Sequence, residues 1–206
     1  MRKKASLLAR LGLAGLLTLG LEGIINKAEA TRIWVRDIPQ GIYTIQQAIN
    51  IASPGDTVIV RDGVYGYSEN PLYRENFPIV IDGSTQSHEG DLTIMSEHGR
   101  DYSEMENWNG APGVVSIQNV GNELRLQGFS INGLFSPVPA SGGLIGINIE
   151  NASPIIAECS ILNNEKAIYG LDADYIIQDS NIITVYAPSG RGVVATNYSN
   201  PQVRRN

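Results

Sequence analysis

The chain has 206 residues, with 15 Lys and Arg against 21 Asp and Glu, a formal net charge of −6 and one cysteine. After residue 30 no stretch gathers basic side chains, which argues against nucleic acid or anionic lipid as a partner, because phosphate binding needs clustered Lys and Arg. A lone cysteine excludes an internal disulfide.

Residues 1–30 read as a secretory signal: basic Arg2, Lys3 and Lys4, an apolar run from Leu7 to Leu21 interrupted by Arg10, then Ala28-Glu29-Ala30 as a small-x-small cleavage site. The uninterrupted apolar stretch is shorter than the roughly 20 residues that a membrane span requires. Cleavage would remove five basic and two acidic residues and leave ten and nineteen in residues 31–206, a net charge near −9 with Lys166 as the sole lysine. The remaining 176 residues suffice for one domain with a sizeable core, secreted or held in the cell envelope.

In chain order, residues 31–36 alternate and predict a short strand. Thr44-Ile45-Gln46-Gln47 is a capping box, and Ile45, Ala48, Ile49 and Ala52 then fall on one helical face until Pro54-Gly55 stops it. From Asp56 onward the signals are short β-branched strands bounded by turn residues: 57–60, 78–81, 92–95, 114–117 and 124–126. Segments 66–76, 84–91, 99–113 and 136–143 read as inserted loops.

The C-terminal half repeats itself. Leu126, Phe129 and Ile131 are echoed by Ile156, Cys159 and Ile161, then by Ile177, Ser180 and Ile182; Ile147 lies over Ile168, and Val203 takes the column of Ile177. Units of this length cannot each bury their own apolar face, so they predict an all-β solenoid of about six or seven rungs, with the helix as a cap over its first end. Arg125, Glu158 and Asn181 fall between core columns and are expected to face solvent, whereas Cys159 is expected in the core. The next core position after Val203 and Asn206 would be residue 208, so either further rungs or end-to-end self-association is expected to cover that edge.

Residues 44–65 (TIQQAINIASPGDTVIVRDGVY), 75–83 (ENFPIVIDG), 119–133 (NVGNELRLQGFSING) and 151–164 (NASPIIAECSILNN) resemble the right-handed parallel β-helix proteins of the pectin-lyase-like superfamily, and the first carries a signature of the copper-accessory type. The resemblance covers nearly all of residues 31–206 and implies a right-handed parallel β-helix. It does not choose an activity, since that superfamily includes pectate lyases, polygalacturonases, alginate epimerases and lyases, copper-site maturation proteins and surface proteins with no known reaction. The Asn-Thr-Asp, Asp-Asp and Gly-His-Gly motifs of its galacturonan hydrolases are absent, as is the Asp-Pro-His-Asp of its epimerases. A lyase of the pectate-lyase type would need Ca²⁺ and a base, for which Arg125 and Arg191 are the candidates.

Two groups remain. Asp172 and Asp174, stacked on Asn151 and Ser153 with Asn197 and Ser199 above, form either a turn column or an oxygen-rich ladder for Ca²⁺; turn chemistry is the favoured reading. Tyr102 and Trp108 lie among Asp101, Glu104 and Glu106, with Tyr67 and Tyr73 in the preceding loop, a set suited to stacking on sugar rings and accepting hydroxyl hydrogen bonds. These seven residues are the candidate saccharide-binding set. His88 and His98 stand singly, without metal-ligand spacing between them. The leading functional expectation is therefore an exported polysaccharide-binding module without a catalytic motif; the alternatives are a Ca²⁺-dependent lyase and a purely structural surface protein.

Overall fold

The computed structural model describes residues 30–36, 41–66, 68–84, 91–107, 111–133, 144–183 and 191–205. Strand β1 (Arg32–Val35) leads into helix α1 (Ile45–Ile51), after which the chain winds through five full coils. The first contains β2 (Thr57–Val60), β3 (Gly63–Tyr65) and β4 (Ile79–Asp82); the second β5 (Thr93–Ser96), β6 (Ser103–Glu106) and β7 (Gly113–Gln118). The third contains β8 (Arg125–Gln127), β9 (Ser130–Asn132) and β10 (Ile145–Glu150); the fourth β11 (Ile155–Ala157), β12 (Ser160–Leu162) and β13 (Lys166–Leu171). The fifth contains β14 (Ile176–Gln178), β15 (Asn181–Ile183) and β16 (Arg191–Thr196), and β17 (Gln202–Arg204) follows.

Each coil contributes one strand to each of three parallel sheets: a seven-stranded first face (β1-β2-β5-β8-β11-β14-β17), a second face β3-β6-β9-β12-β15 and a third face β4-β7-β10-β13-β16. The fold is all-β, a right-handed parallel β-helix with one short helix. Among the described residues no helix is long and apolar enough to cross a membrane.

The repeat registers predicted from sequence are the observed ones. On the first face Val58, Ile94, Leu126, Ile156 and Ile177 stack directly, each almost wholly buried. On the second, Tyr65, Met105, Ile131 and Ile161 do the same, with Ile182 following. Val203 pairs with Ile177 as expected and lies exposed. Cys159 is fully buried, and burial pushes its thiol up to about 11. Such a thiol is a space-filling group rather than a nucleophile.

The third face shows how volume is traded between columns. Ile81, Ile117 and Ile149 are followed in register by Gly170 and then Ala195. A Cβ on Gly170 would lie 2.5 Å from Cε1 of Tyr175. Tyr175, itself 1 % exposed, occupies the space an isoleucine would have taken.

The corners are built from left-handed backbone. Asn119, Asn151, Asp172 and Asn197 share one turn position with φ between 48° and 56°. Asn and Asp tolerate this region better than other residues with a Cβ. Asp172 therefore belongs to a turn column, the reading favoured from sequence.

Helix α1 packs against β1, β2 and β4 with Ile45, Ala48 and Ile49 buried. Its capping box is complete: Gln47 N–H donates to Thr44 Oγ1 at 3.2 Å, and Gln47 Oε1 accepts from Thr44 N–H, also at 3.2 Å. Glu75, 1 % exposed, adds a carboxylate from thirty residues away that accepts from Ile45 N–H at 2.6 Å and Gln46 N–H at 3.3 Å. Burial outweighs those two bonds and pushes the Glu75 carboxyl up to about 7.

The loop expected over 99–113 is not one irregular insertion. Ser103–Glu106 forms β6, with Ser103 and Met105 inward and Glu104 and Glu106 outward. Its inward residues are neither β-branched nor aromatic, so only the two-residue alternation marked it as a strand.

Ile156→Asp places an unpaired charge inside the stack and should cost several kcal/mol, enough to prevent folding of a domain of ordinary stability. Glu158→Ala, at an exposed corner, should shift the urea midpoint little. Equal midpoints for the two variants would refute the register.

A second expectation concerns pH. Because Glu75 holds its proton up to about 7 in the folded state and loses it near 4.5 when unfolded, its contribution to stability is full below 4.5 and is lost as pH rises to 7. The wild-type urea midpoint should therefore fall, relative to Glu75→Gln, between pH 4.5 and 7. Parallel profiles for the two proteins would show that Glu75 does not titrate in that window.

Candidate functional site

On the outer surface of the second face a groove of about 340 Å³ is lined by strand and turn residues together. Its floor is one register column: Val64 on β3, Glu104 on β6, Ser130 on β9 and Ser160 on β12. Strand side chains alternate between faces, so the same pairing that buries Met105 and Ile131 inside presents Glu104 and Ser130 outside. One wall is the turn between β5 and β6, which supplies Arg100, Asp101 and Tyr102.

That turn is anchored from beneath. Ser96 Oγ accepts from Gly99 N–H at 3.0 Å and lies 2.9 Å from the Oγ of Ser103, which is buried; Ser103 Oγ donates in turn to the Arg61 carbonyl at 3.3 Å. Gly99 has φ 97°, a conformation that glycine adopts without steric cost. Tyr102 accepts at its carbonyl from Gly63 N–H at 2.8 Å and donates its own N–H to Gly99 O at 3.1 Å. The result is a fixed backbone carrying an exposed side chain, with Tyr102 57 % exposed and its ring edge-on to that of His98. Arg100 donates from Nη1 to the Asp179 carbonyl at 3.3 Å, bracing the turn against a later coil.

Charge in the groove is mixed. Asn132 Nδ2 donates to Glu104 Oε1 at 2.9 Å, and Asn163 Nδ2 donates to Asn132 Oδ1 at 3.2 Å, so a short amide ladder orients the Glu104 carboxylate. Glu106, beside Asn132 on the same outer surface, has its carboxyl raised by partial burial and then by the negative charge of Glu104.

Of the seven residues singled out from sequence, Asp101, Tyr102 and Glu104 come together in the groove, and Glu106 lies two residues along β6. Tyr73 sits elsewhere: it ends a 3-10 turn (Pro71–Tyr73) and meets Tyr43 edge-on, with ring centroids 5.2 Å apart, beside the start of α1. Tyr67 and Trp108 lie outside the described residues. Arg125 and Arg191, the lyase base candidates, are on the first and third faces, and Arg125 donates to Gln127 Oε1 at 2.7 Å. Neither lines the groove.

Sequence reasoning missed Arg100, which is placed by its turn and its bond to Asp179, and Ser130 and Ser160, which gain meaning only through the register that stacks the coils. It also missed the surroundings of His98. Its Nδ1 lies 3.0 Å from both carboxylate oxygens of Asp62, thirty-six residues away, and Glu97 completes the cluster. No family model, no curated protein and no solved structure matches the chain.

Glu104→Gln removes the repulsion that is the lesser cause of the Glu106 shift. The Glu106 side-chain titration, followed by carboxyl carbon NMR, should move to lower pH without reaching the value of a free glutamate, since partial burial persists. No movement would show that the two carboxylates do not interact.

Proposed function

We propose that this protein is an exported β-helix module, of the pectin-lyase-like kind its sequence resembles, that binds extracellular or envelope polysaccharide along the groove of the second face. The observation that carries the reading is an exposed Tyr102 ring on a braced turn, above a floor of Glu104, Ser130 and Ser160 and beside Arg100 and Asp101. A tyrosine face stacks on the apolar face of a pyranose, while carboxylates, hydroxyls and a guanidinium exchange hydrogen bonds with its hydroxyl groups. A floor of parallel strands repeats about every 4.8 Å, which gives an extended ligand several coils to lie across.

A lyase requires a base and a cation close to the sugar carboxylate. Arg100 is the arginine lining the groove, and its guanidinium already bonds Asp179, so binding is better supported than elimination.

Affinity electrophoresis against soluble neutral and acidic polysaccharides, with and without Ca²⁺, tests the proposal. The wild type should be retarded by at least one of them, and Tyr102→Ala should lose that retardation with its melting temperature nearly unchanged. Unsaturated product absorbing in the ultraviolet would establish the lyase instead. No retardation by any polysaccharide would leave the structural reading.

A further inference from the structure

Outside the groove floor, the described residues hold one cluster of three or more His, Cys, Asp or Glu side chains whose ligating atoms lie within 4.8 Å of one another: Asp62, Glu97 and His98. We propose that these residues bind a divalent transition-metal ion of the zinc type at the corner between the first and second faces. The corner borders the Tyr102 turn of the groove, but neither reading requires the other.

The corner brings the ligands together through the coil register. Asp62 lies in the short turn between β2 and β3, and Glu97 and His98 lie in the turn after β5, one coil further on. Glu97 N–H donates to the Val60 carbonyl at 2.8 Å, which ties the second turn to the strand leading into the first. The Tyr102 ring stands edge-on to the His98 ring with centroids 5.9 Å apart and restricts the imidazole on one side.

Spacing and chemistry agree. Ligand atoms about 2.1 Å from an ion are about 3.0 Å apart at the right angles of a six-coordinate site and about 3.4 Å apart at the tetrahedral angle that zinc prefers, so a span near 3 Å has to open by only a few tenths of an ångström. The separation of His98 Nδ1 from each Asp62 oxygen is 3.0 Å. That span is a hydrogen-bonded contact between the imidazole and the carboxylate, which the ion would replace. One imidazole with two carboxylates favours zinc, cobalt or nickel over calcium or magnesium, which take all-oxygen sites.

The positive charge nearest in sequence is held aside. The Arg61 guanidinium lies over the Trp34 ring, 5.5 Å from its centroid, rather than on Asp62. All three ligand residues are exposed, so Glu97 can rotate onto the ion and water can fill the remaining positions.

Calorimetric titration of the full chain with Zn²⁺, and with Co²⁺ followed by its visible absorption, tests the site. One ion per chain is expected, with affinity reduced on the order of tenfold or more in His98→Ala and in Asp62→Asn, and not competed by excess Ca²⁺. His88→Ala, at the other histidine of the chain, should leave the isotherm unchanged. Absence of binding, binding that survives His98→Ala, or binding lost with His88→Ala would each overturn the assignment. Because the ligands are exposed, unchanged circular dichroism in the variants separates lost ligation from lost folding.

Discussion

Every feature of this molecule depends on parallel stacking in register. No coil is thick enough to enclose a core, so each coil's inward side chains are buried only if the next coil places its own directly above them. A shift of one residue would turn Leu126, Ile156 and Ile177 outward together, and it would turn Glu104 and Ser130 inward on the neighbouring face. The groove is thus a by-product of the core: the spacing that closes the interior also aligns polar residues outside.

This explains what the sequence revealed and what it hid. The core of the later coils was legible because Ile and Leu recur at fixed offsets, and the helix because a capping box precedes an apolar face. Strand β6 was harder to see, since Ser103 and Met105 carry no strand preference and are inward only because Ser96 and Ile131 lie beside them. Half of the candidate site was readable as one segment, Asp101 to Glu106. The other half, Ser130 and Ser160, consists of small polar residues that no local pattern distinguishes, and their role arises from neighbours about thirty residues away.

The His98 corner shows the same limit more sharply. Metal-ligand motifs are recognised by short spacings along a strand or helix, whereas a coil brings together residues a full circuit apart. Asp62 and Glu97 are adjacent in space because β2 and β5 are neighbours on the first face. In a solenoid the informative spacing is the length of a coil, and here that length varies because loops of different size are inserted between the strands.

The exchange of bulk between Gly170 and Tyr175 has a consequence for how the coils recognise one another. A stack of identical isoleucine rungs could slide by a whole coil and still bury every side chain, leaving the order of its layers undefined. Gly170 leaves room for the Tyr175 ring, five residues on around the corner, and the pair makes this layer unlike its neighbours. The layers are told apart where the repeat is broken, because a layer with a glycine and a ring does not pack like a layer of isoleucines.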